Sequence, residues 1–371
     1  MRVVVAMSGG VDSSAVAGLL KEQGHEVIGL AMKTHSLQPK ANRACCTPDD
    51  MRDARLVADM LDIPFYVLPY EETFKELVIK PFAEAYRDGY TPNPCVVCND
   101  KVKFMPLLER AQLLGADALA TGHYARIEGE PGNLQLKRGL DGNKDQSYFL
   151  YRLRQDQLAR LMFPIGNMNK AEVREHARRF GMPLADKHES QEICFVGKEG
   201  YAATVEKILG EGGKAGHFVT TAGKVLGKHP GVHHFTIGQR RGLGIAAPKP
   251  LYVLDVDGET GDVTVGTVDE LSADWIDIED VVWTNGHQPN EATMYAVQQR
   301  YRSKPNITRV EITGERTARL HFANSEQPGA PGQAAVIYAD DTVVGGGKIA
   351  KGRFASSARK SLPVLGQSVL S

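Results

Sequence analysis

The chain opens on Val3-Val4-Val5-Ala6-Met7, apolar at every position, as a strand covered on both faces of a parallel sheet must be. From Asp12 to Gln23 the apolar residues return at helical spacing, and the run stops at Gly24. Strand, glycine turn and helix therefore follow in order. Val27–Met32 reads as a second strand, and Thr47-Pro48-Asp49-Asp50 opens a helix expected to reach about Leu61, with a threonine cap, an early proline and acids near the positive helix end. Phe65–Leu68 and Ala118–Thr121 are further short strands, with helical spacing over Phe74–Arg87 and Leu107–Leu114. This alternation predicts an α/β fold, a doubly wound parallel sheet.

From about Gly197 glycine becomes frequent and short strand-like runs such as Val232–Ile237 are separated by turn residues. A small, mostly-β middle domain is expected over residues 198–270, after an α/β domain over 1–197. Beyond about Leu271, the alternation in Arg309–Ile312 and Arg319–Phe322, followed by Ala335–Tyr338, predicts an antiparallel barrel or sandwich over 271–371. A length of 371 residues suits two or three such units.

Composition narrows the setting. Hydrophobic residues at 42% and charged residues at 24% describe a soluble globular chain rather than a disordered one. A net charge of −1 means that a nucleic-acid partner has to be met by local cationic clusters, because the whole molecule supplies no positive field. The N-terminal apolar run is too short for a signal peptide, and no stretch approaches the roughly 18 apolar residues of a membrane helix. Five cysteines, an odd number unevenly spread, point to reduced thiols in the cytosol, hence to a cytoplasmic protein with no membrane partner.

The first candidate chemistry lies at Ser8-Gly9-Gly10-Val11-Asp12-Ser13. Between a buried strand and a helix start, glycines let the backbone approach a phosphate, and the first helical N–H groups point at it. A plain glycine turn with a serine or aspartate cap is the alternative, but each residue type in the hexapeptide has a phosphate or metal role. No lysine stands beside a serine or threonine, so this is not a Walker loop. It resembles the PP-loop, S-G-G-x-D-S. Enzymes with that loop hold the β,γ-pyrophosphate of ATP as a leaving group and transfer AMP to a substrate oxygen. The resemblance implies ATP as co-substrate, Asp12 near Mg²⁺, and Ser8, Ser13 and the loop amides on phosphate oxygens.

The second lies in the cysteines. Thr91-Pro92-Asn93-Pro94-Cys95-Val96-Val97-Cys98-Asn99 is a proline-rigidified loop whose two thiols read as half a zinc knuckle or a redox pair. Cys45-Cys46, being adjacent, is a poor second half for one tetrahedral ion. Cys194 in Ser190-Gln191-Glu192-Ile193-Cys194-Phe195 has a buried apolar cysteine as its simplest reading. Arg300-Tyr301-Arg302-Ser303-Lys304 offers charge for phosphate and an aromatic for stacking, or is a solvated strand end.

These motifs occur in one order with Lys103-Phe104, Ala120-Thr121-Gly122-His123-Tyr124-Ala125, Lys144-Asp145-Gln146-Ser147-Tyr148 and Thr236-Ile237-Gly238-Gln239-Arg240-Arg241-Gly242-Leu243-Gly244. Together, and over nearly the whole chain, they resemble the tRNA-specific 2-thiouridylase family. The resemblance implies an adenine nucleotide alpha hydrolase-like first domain and a C-terminal β-barrel that contacts tRNA. It places ATP contacts at Ala6, Met7, Ser8, Gly9, Gly10, Val11, Asp12, Ser13, Met32 and Gly122, a persulfide on Cys194, and the nucleophile and resolving thiol at Cys98. It also implies RNA contacts at Asn93, Pro94, Cys95, His123, Lys144, Asp145, Gln146, Arg300, Tyr301 and Gln333. Taken from the residues alone, His123 is equally a satisfied histidine at a strand end and 144–146 a polar loop.

In the reaction so implied, ATP adenylates the 2-oxygen of a wobble uridine, sulfur replaces it, and a Cys98–Cys194 disulfide releases the product. The implied partners are tRNA and a sulfur donor, a cysteine desulfurase acting directly or through relay proteins. At Cys95 this chain departs from the commonest family pattern, an aspartate that handles protons. A thiol there can donate the hydrogen bond that aspartate would accept. Alternatively, Cys95, Cys98 and Cys194 can act as three ligands of an iron–sulfur cluster. Another adenylating PP-loop ligase would need no cysteine pair, and a noncatalytic RNA- or metal-binding protein would need no nucleotide loop.

Overall fold

The computed structural model describes residues 1–34, 48–187 and 193–355. Strands β1 (Arg2–Ala6), β2 (Glu26–Lys33), β3 (Phe65–Pro69) and β4 (Ala118–Ala120) are followed by a hairpin of β5 (Ala125–Glu128) and β6 (Gln135–Arg138), then by the short β7 (Leu161–Met162). Five of them form a parallel sheet in the order β3-β2-β1-β4-β7. Val3, Val4 and Val5 are completely buried at its centre, which is why that strand has no polar face. The chain order reverses between β1 and β4, and ligands of such sheets bind beyond the carboxyl ends of the strands at that point.

Helix Val11–Glu22 covers one side through Ala15, Val16 and Leu20 and packs on helix Lys170–Arg179. The helix expected from Thr47 spans Pro48–Met60; its threonine cap, with Cys45 and Cys46, lies outside the described residues.

Two expected helices are longer than their apolar spacing showed, and each contains a widened turn. One runs from Glu71 to Arg87 with π geometry over Lys75–Ile79. The other starts at Pro94, is π-helical over Cys98–Phe104 and ends at Leu113. A proline, Pro81 or Pro106, stands two residues beyond each π turn. Proline lacks an N–H and crowds the carbonyl one turn back, and a wider turn relieves both conflicts without ending the helix.

The middle of the chain contributes β8 (Gly216–Val219), β9 (Val225–His229), β10 (Tyr252–Val256) and β11 (Val263–Gly266), paired in the order β10-β11-β8-β9. The strand expected over Val232–Ile237 is not formed. Val232–His234 is a 3-10 turn, because the chain curls to bury His233, whose Nδ1 accepts the Gly213 N–H at 2.9 Å while Nε2 faces Glu206 at 2.9 Å.

Strands β12 (Ala273–Trp283), β13 (Met294–Gln298), β14 (Asn306–Gly314), β15 (Thr317–Glu326), β16 (Ala334–Ala339) and β17 (Thr342–Ala355) run β12-β15-β14-β13-β16-β17, and β17 pairs back on β12. Of the two architectures expected, the closed antiparallel barrel is the one formed, with Ile276, Val297, Val310, Leu320 and Ile337 inside. Strand β16 is buried on both faces: Ala335 and Ile337 point into the barrel, while Val336 and Tyr338 join the core of the first domain. Strand β17 also bonds β6, so the barrel sheet continues into the first domain's hairpin.

Candidate active site

The nucleotide loop starts where β1 ends. Met7 prolongs the sheet by one bond, its N–H donating to Leu30 O at 2.8 Å, and the chain then turns through Ser8, Gly9 and Gly10. Gly9 has φ +74°, and a Cβ there would overlap the carbonyl oxygen of Asp50. Only glycine fits. Ser13 Oγ accepts the Ser8 N–H at 3.1 Å and donates to Gly10 O at 3.2 Å, folding the loop onto the helix start. Gly10 is the N-cap of helix Val11–Glu22 and brings no side chain, so the first N–H groups of that helix have no side-chain cap and suit an anion. Gly122, just past β4, seals the opposite wall: a Cβ there would lie 2.8 Å from Ser13 N. Ala6 and Met32 border the same sheet edge, on β1 and β2.

Two lysines that sequence reasoning did not find flank the loop from far along the chain. Lys170, the first residue of its helix, places Nζ 2.7 Å from Asp12 Oδ1, and the Tyr124 hydroxyl donates to the same oxygen at 2.8 Å. Lys187 Nζ donates to Gly9 O at 3.1 Å and pairs with Asp50 at 2.7 Å and Asp53 at 2.6 Å. Burial pushes the Lys187 ammonium down, but the bonds to Asp50 and Asp53 outweigh it and hold the pKa above the usual lysine value. A Walker-type search looks for a lysine beside the loop serine, whereas here the cations arrive through tertiary packing. Asp12 offers a hard carboxylate oxygen beside the phosphate cradle, a ligand type that Mg²⁺ takes.

The cysteine loop is held by all three parts of the molecule. Asn93 caps helix Pro94–Val97, its Oδ1 accepting the Val96 N–H at 3.3 Å. Gln333, from the barrel, donates to Thr91 O at 3.0 Å, and Thr91 Oγ1 bonds Thr236 Oγ1 of the middle domain at 3.2 Å. Cys98 opens the π turn, and its neighbours are pinned: Asn99 Nδ2 donates to Phe149 O at 3.2 Å, and Asp100 pairs with the largely buried Arg152 at 2.8 Å. Cys95, Cys98 and Cys194 are each half-buried. Cys98 and Cys194 pack against one and the same hydrophobic core. Phe195 anchors the Cys194 turn by edge contacts with Phe74 and Phe82, at 5.9 and 5.0 Å between ring centres. Among the described residues, the group of potential ligands close enough to share one ion is Glu206, His233 and His234, and not the three cysteines.

The residues expected to meet RNA divide. Lys144 lines a cleft of about 630 Å³ with Arg138 and Arg302. Asp145 is instead buried, its carboxylate taking Arg138 at 2.7 Å and the N–H groups of Gly139 and Ser147. Gln146 Oε1 accepts the Tyr124 N–H at 2.9 Å. His123 sits against Phe104 and Phe163, with Nδ1 2.7 Å from Thr121 Oγ1; burial, with Lys103 nearby, pushes its pKa down to about 3. The Tyr301 ring lies 4.5 Å from that of Phe149, which ties the Arg300–Tyr301 turn to the residue holding Asn99.

A parallel sheet whose central strand runs into S-G-G-V-D-S at the switch point, joined to a β-barrel, defines a PP-loop nucleotide-binding protein. Family models match along the chain in order: "tRNA methyl transferase HUP domain" over residues 1–198, "tRNA methyl transferase PRC-barrel domain" over 203–267 and "Aminomethyltransferase beta-barrel domain" over 273–349. The tRNA-specific 2-thiouridylase MnmA of Geobacter metallireducens is 50% identical over 94% of this chain and 96% of its own. That of Geotalea uraniireducens is 48% identical over 94% of each. A solved 4-thiouridine synthetase–RNA complex with bound ATP is 14% identical, covers 56% of this chain and 50% of that one, and has a TM-score of 0.35. The chain belongs to the tRNA-specific 2-thiouridylase family, a family of tRNA sulfurtransferases.

Proposed function

We propose that this cytoplasmic enzyme thiolates position 2 of the wobble uridine of tRNA. The 2-oxygen attacks the α-phosphorus of ATP and pyrophosphate leaves into the Ser8–Ser13 loop, converting a poor leaving group into a phosphate ester. The loop amides, Ser8 and Ser13 hold the leaving phosphates, and Asp12 would hold Mg²⁺, which supplies charge neutralisation there. The terminal sulfur of a Cys194 persulfide attacks carbon 2 and AMP departs. The Cys98 thiolate then attacks the Cys194 sulfur, forming the Cys98–Cys194 disulfide and leaving the transferred sulfur on the base. A thiol reductant supplies the two electrons that reset the pair, and a sulfur donor recharges Cys194.

The observation that carries this reading is that Cys98 and Cys194, 96 positions apart by their numbering, pack on one core in a molecule with a complete PP-loop. Methyl transfer, which the family-model descriptions name, requires neither an ATP-activated oxygen nor two thiols, and other adenylating ligases require no thiol pair. The test is incubation with ATP, Mg²⁺, a persulfide sulfur donor such as a cysteine desulfurase with cysteine, a thiol reductant and unmodified tRNA, followed by a mercury-containing gel that retards thiolated RNA. Retarded RNA together with stoichiometric AMP is the expected result. AMP release without retardation overturns sulfur transfer, and retardation without AMP overturns adenylation.

A further inference from the structure

The segment Gly238–Leu251 of the middle domain surrounds a cavity of about 660 Å³, lined by Arg240, Lys249 and the backbone of Gly242–Ala247, with no acidic residue in its wall. Arg152 and Arg319 sit on aspartates, whereas among the described residues no carboxylate pairs with Arg240, Arg241 or Lys249. The net charge of the chain is −1, so three such cations on one loop are a local excess that no ion pair among the described residues neutralises.

The loop is also built, not slack. Gly238 N–H donates to Val253 O at 2.8 Å and Val253 N–H to Gln239 O at 2.9 Å, fixing the root to β10. Gln239 braces the turn from inside, its Oε1 accepting the Thr236 N–H at 3.0 Å and its Nε2 donating to Arg241 O at 3.0 Å. Leu243 is buried in the middle-domain core, while Arg240 and Arg241 on the other side of the turn are exposed. The root is continuous with the elements around the cysteine loop. Thr236 bonds Thr91, and Arg300 Nη2 comes within 3.3 Å of where a Gly238 Cβ would stand.

We infer that Arg240, Arg241 and Lys249 form a phosphate-binding site for the backbone of the RNA substrate, which extends its contact from the barrel turn at Arg300 onto the middle domain. The inference rests on the proposed tRNA substrate. Cations held on a braced loop without counterions release the counterions of a polyanion at little ordering cost, and such contacts position the RNA without reading its sequence.

The experiment titrates unmodified tRNA against the full chain over a range of salt concentrations. It compares the wild type with Arg240→Ala/Arg241→Ala, with Arg240→Lys/Arg241→Lys and with Lys249→Ala. The alanine pair is expected to raise Kd about tenfold and to reduce the slope of log Kd against log salt by about 1.4–1.8, the share of two phosphate contacts. The lysine pair keeps the charge and most of the affinity, and Lys249→Ala shows about half the slope change. Wild-type melting temperatures show that the variants are folded. A wild-type Kd and slope in the alanine pair and in Lys249→Ala, or equal losses in the lysine and alanine pairs, overturn the site. A wild-type protein that does not bind tRNA at all overturns instead the substrate on which the site depends.

Discussion

Lys170 Nζ and Asp12 Oδ1 stand 2.7 Å apart, joining the first residue of one helix to the acid in the first turn of another, at the mouth of the nucleotide loop. Neither side chain contributes to the apolar core, so the fold is expected to survive their removal and activity can be read apart from stability. Asp12→Ala is expected to abolish tRNA-dependent AMP formation while the melting temperature changes by only a few degrees. Lys170→Met leaves a part-buried carboxylate without this cation and is expected to cost roughly 1–3 kcal/mol of stability, seen in denaturant titration. Normal AMP formation by Asp12→Ala would remove the loop from the mechanism.

The two loop glycines separate backbone demand from space. Gly9→Ala forces a side chain into the left-handed region and against Asp50 O, and is expected to lower the melting temperature and eliminate ATP binding. Gly10 has an extended backbone, and a Cβ there meets Ser8 Oγ at 3.4 Å, an ordinary contact. Gly10→Ala should therefore keep wild-type stability. Equal melting temperatures for the two variants would contradict the loop geometry.

The cysteines should separate by step. Cys194→Ser is expected to release AMP in the presence of tRNA yet transfer no sulfur, because activation precedes attack. Cys98→Ser should give no net thiolation from a persulfide donor, and peptide mapping of oxidised wild-type protein should find Cys98 bonded to Cys194. A Cys95–Cys98 disulfide in that map would reverse the assigned roles.

Cys95→Asp is expected to stay active, and anaerobically purified wild-type protein to thiolate tRNA without stoichiometric iron. Brown protein whose activity vanishes when iron is removed would instead establish the iron–sulfur route, with Cys95, Cys98 and Cys194 as ligands.

His123 gives a pH signature. Its pKa is about 3 in the folded chain against 6.5 for the unfolded residue, so on acidification the unfolded state takes up a proton that the folded state refuses. Its contribution is complete above pH 6.5 and is lost progressively as the pH falls towards about 3. Denaturant titrations of His123→Gln and wild type should therefore diverge least near neutrality and most in acid. Parallel stability profiles would show that the ring takes up its proton as readily in the folded chain as in the unfolded one.

The alternation of apolar runs made the parallel sheet legible because its central strands are buried on both faces, as Val3–Val5 shows. The nucleotide loop was legible because its whole geometry is local. What the sequence hid is long-range or compensatory. Lys170 and Lys187 reach the loop only when their segments fold back on it, and no spacing rule connects them to Ser8–Ser13. The alternation around His233 reads as a strand, but burial of its ring on Gly213 and Glu206 overrides the pattern. Asp145 illustrates the converse: a polar triplet reads as surface, yet its carboxylate organises the turn from inside.

The widened turn at Cys98 sets the angular phase of the whole helix that carries it. A regular helix advances about 100° per residue, so the extra residue accommodated ahead of Pro106 offsets the cysteine turn from the following helix by about that angle. Leu107, Leu108 and Ala111 lock the later helix into the core, leaving it unable to rotate. The bearing of Cys98 is thus fixed by a length mismatch in the backbone: deletion of Lys101, whose side chain is exposed, is expected to close the helix into regular geometry and turn the thiol away by about a quarter of a revolution, with every side chain of the site still present in the sequence.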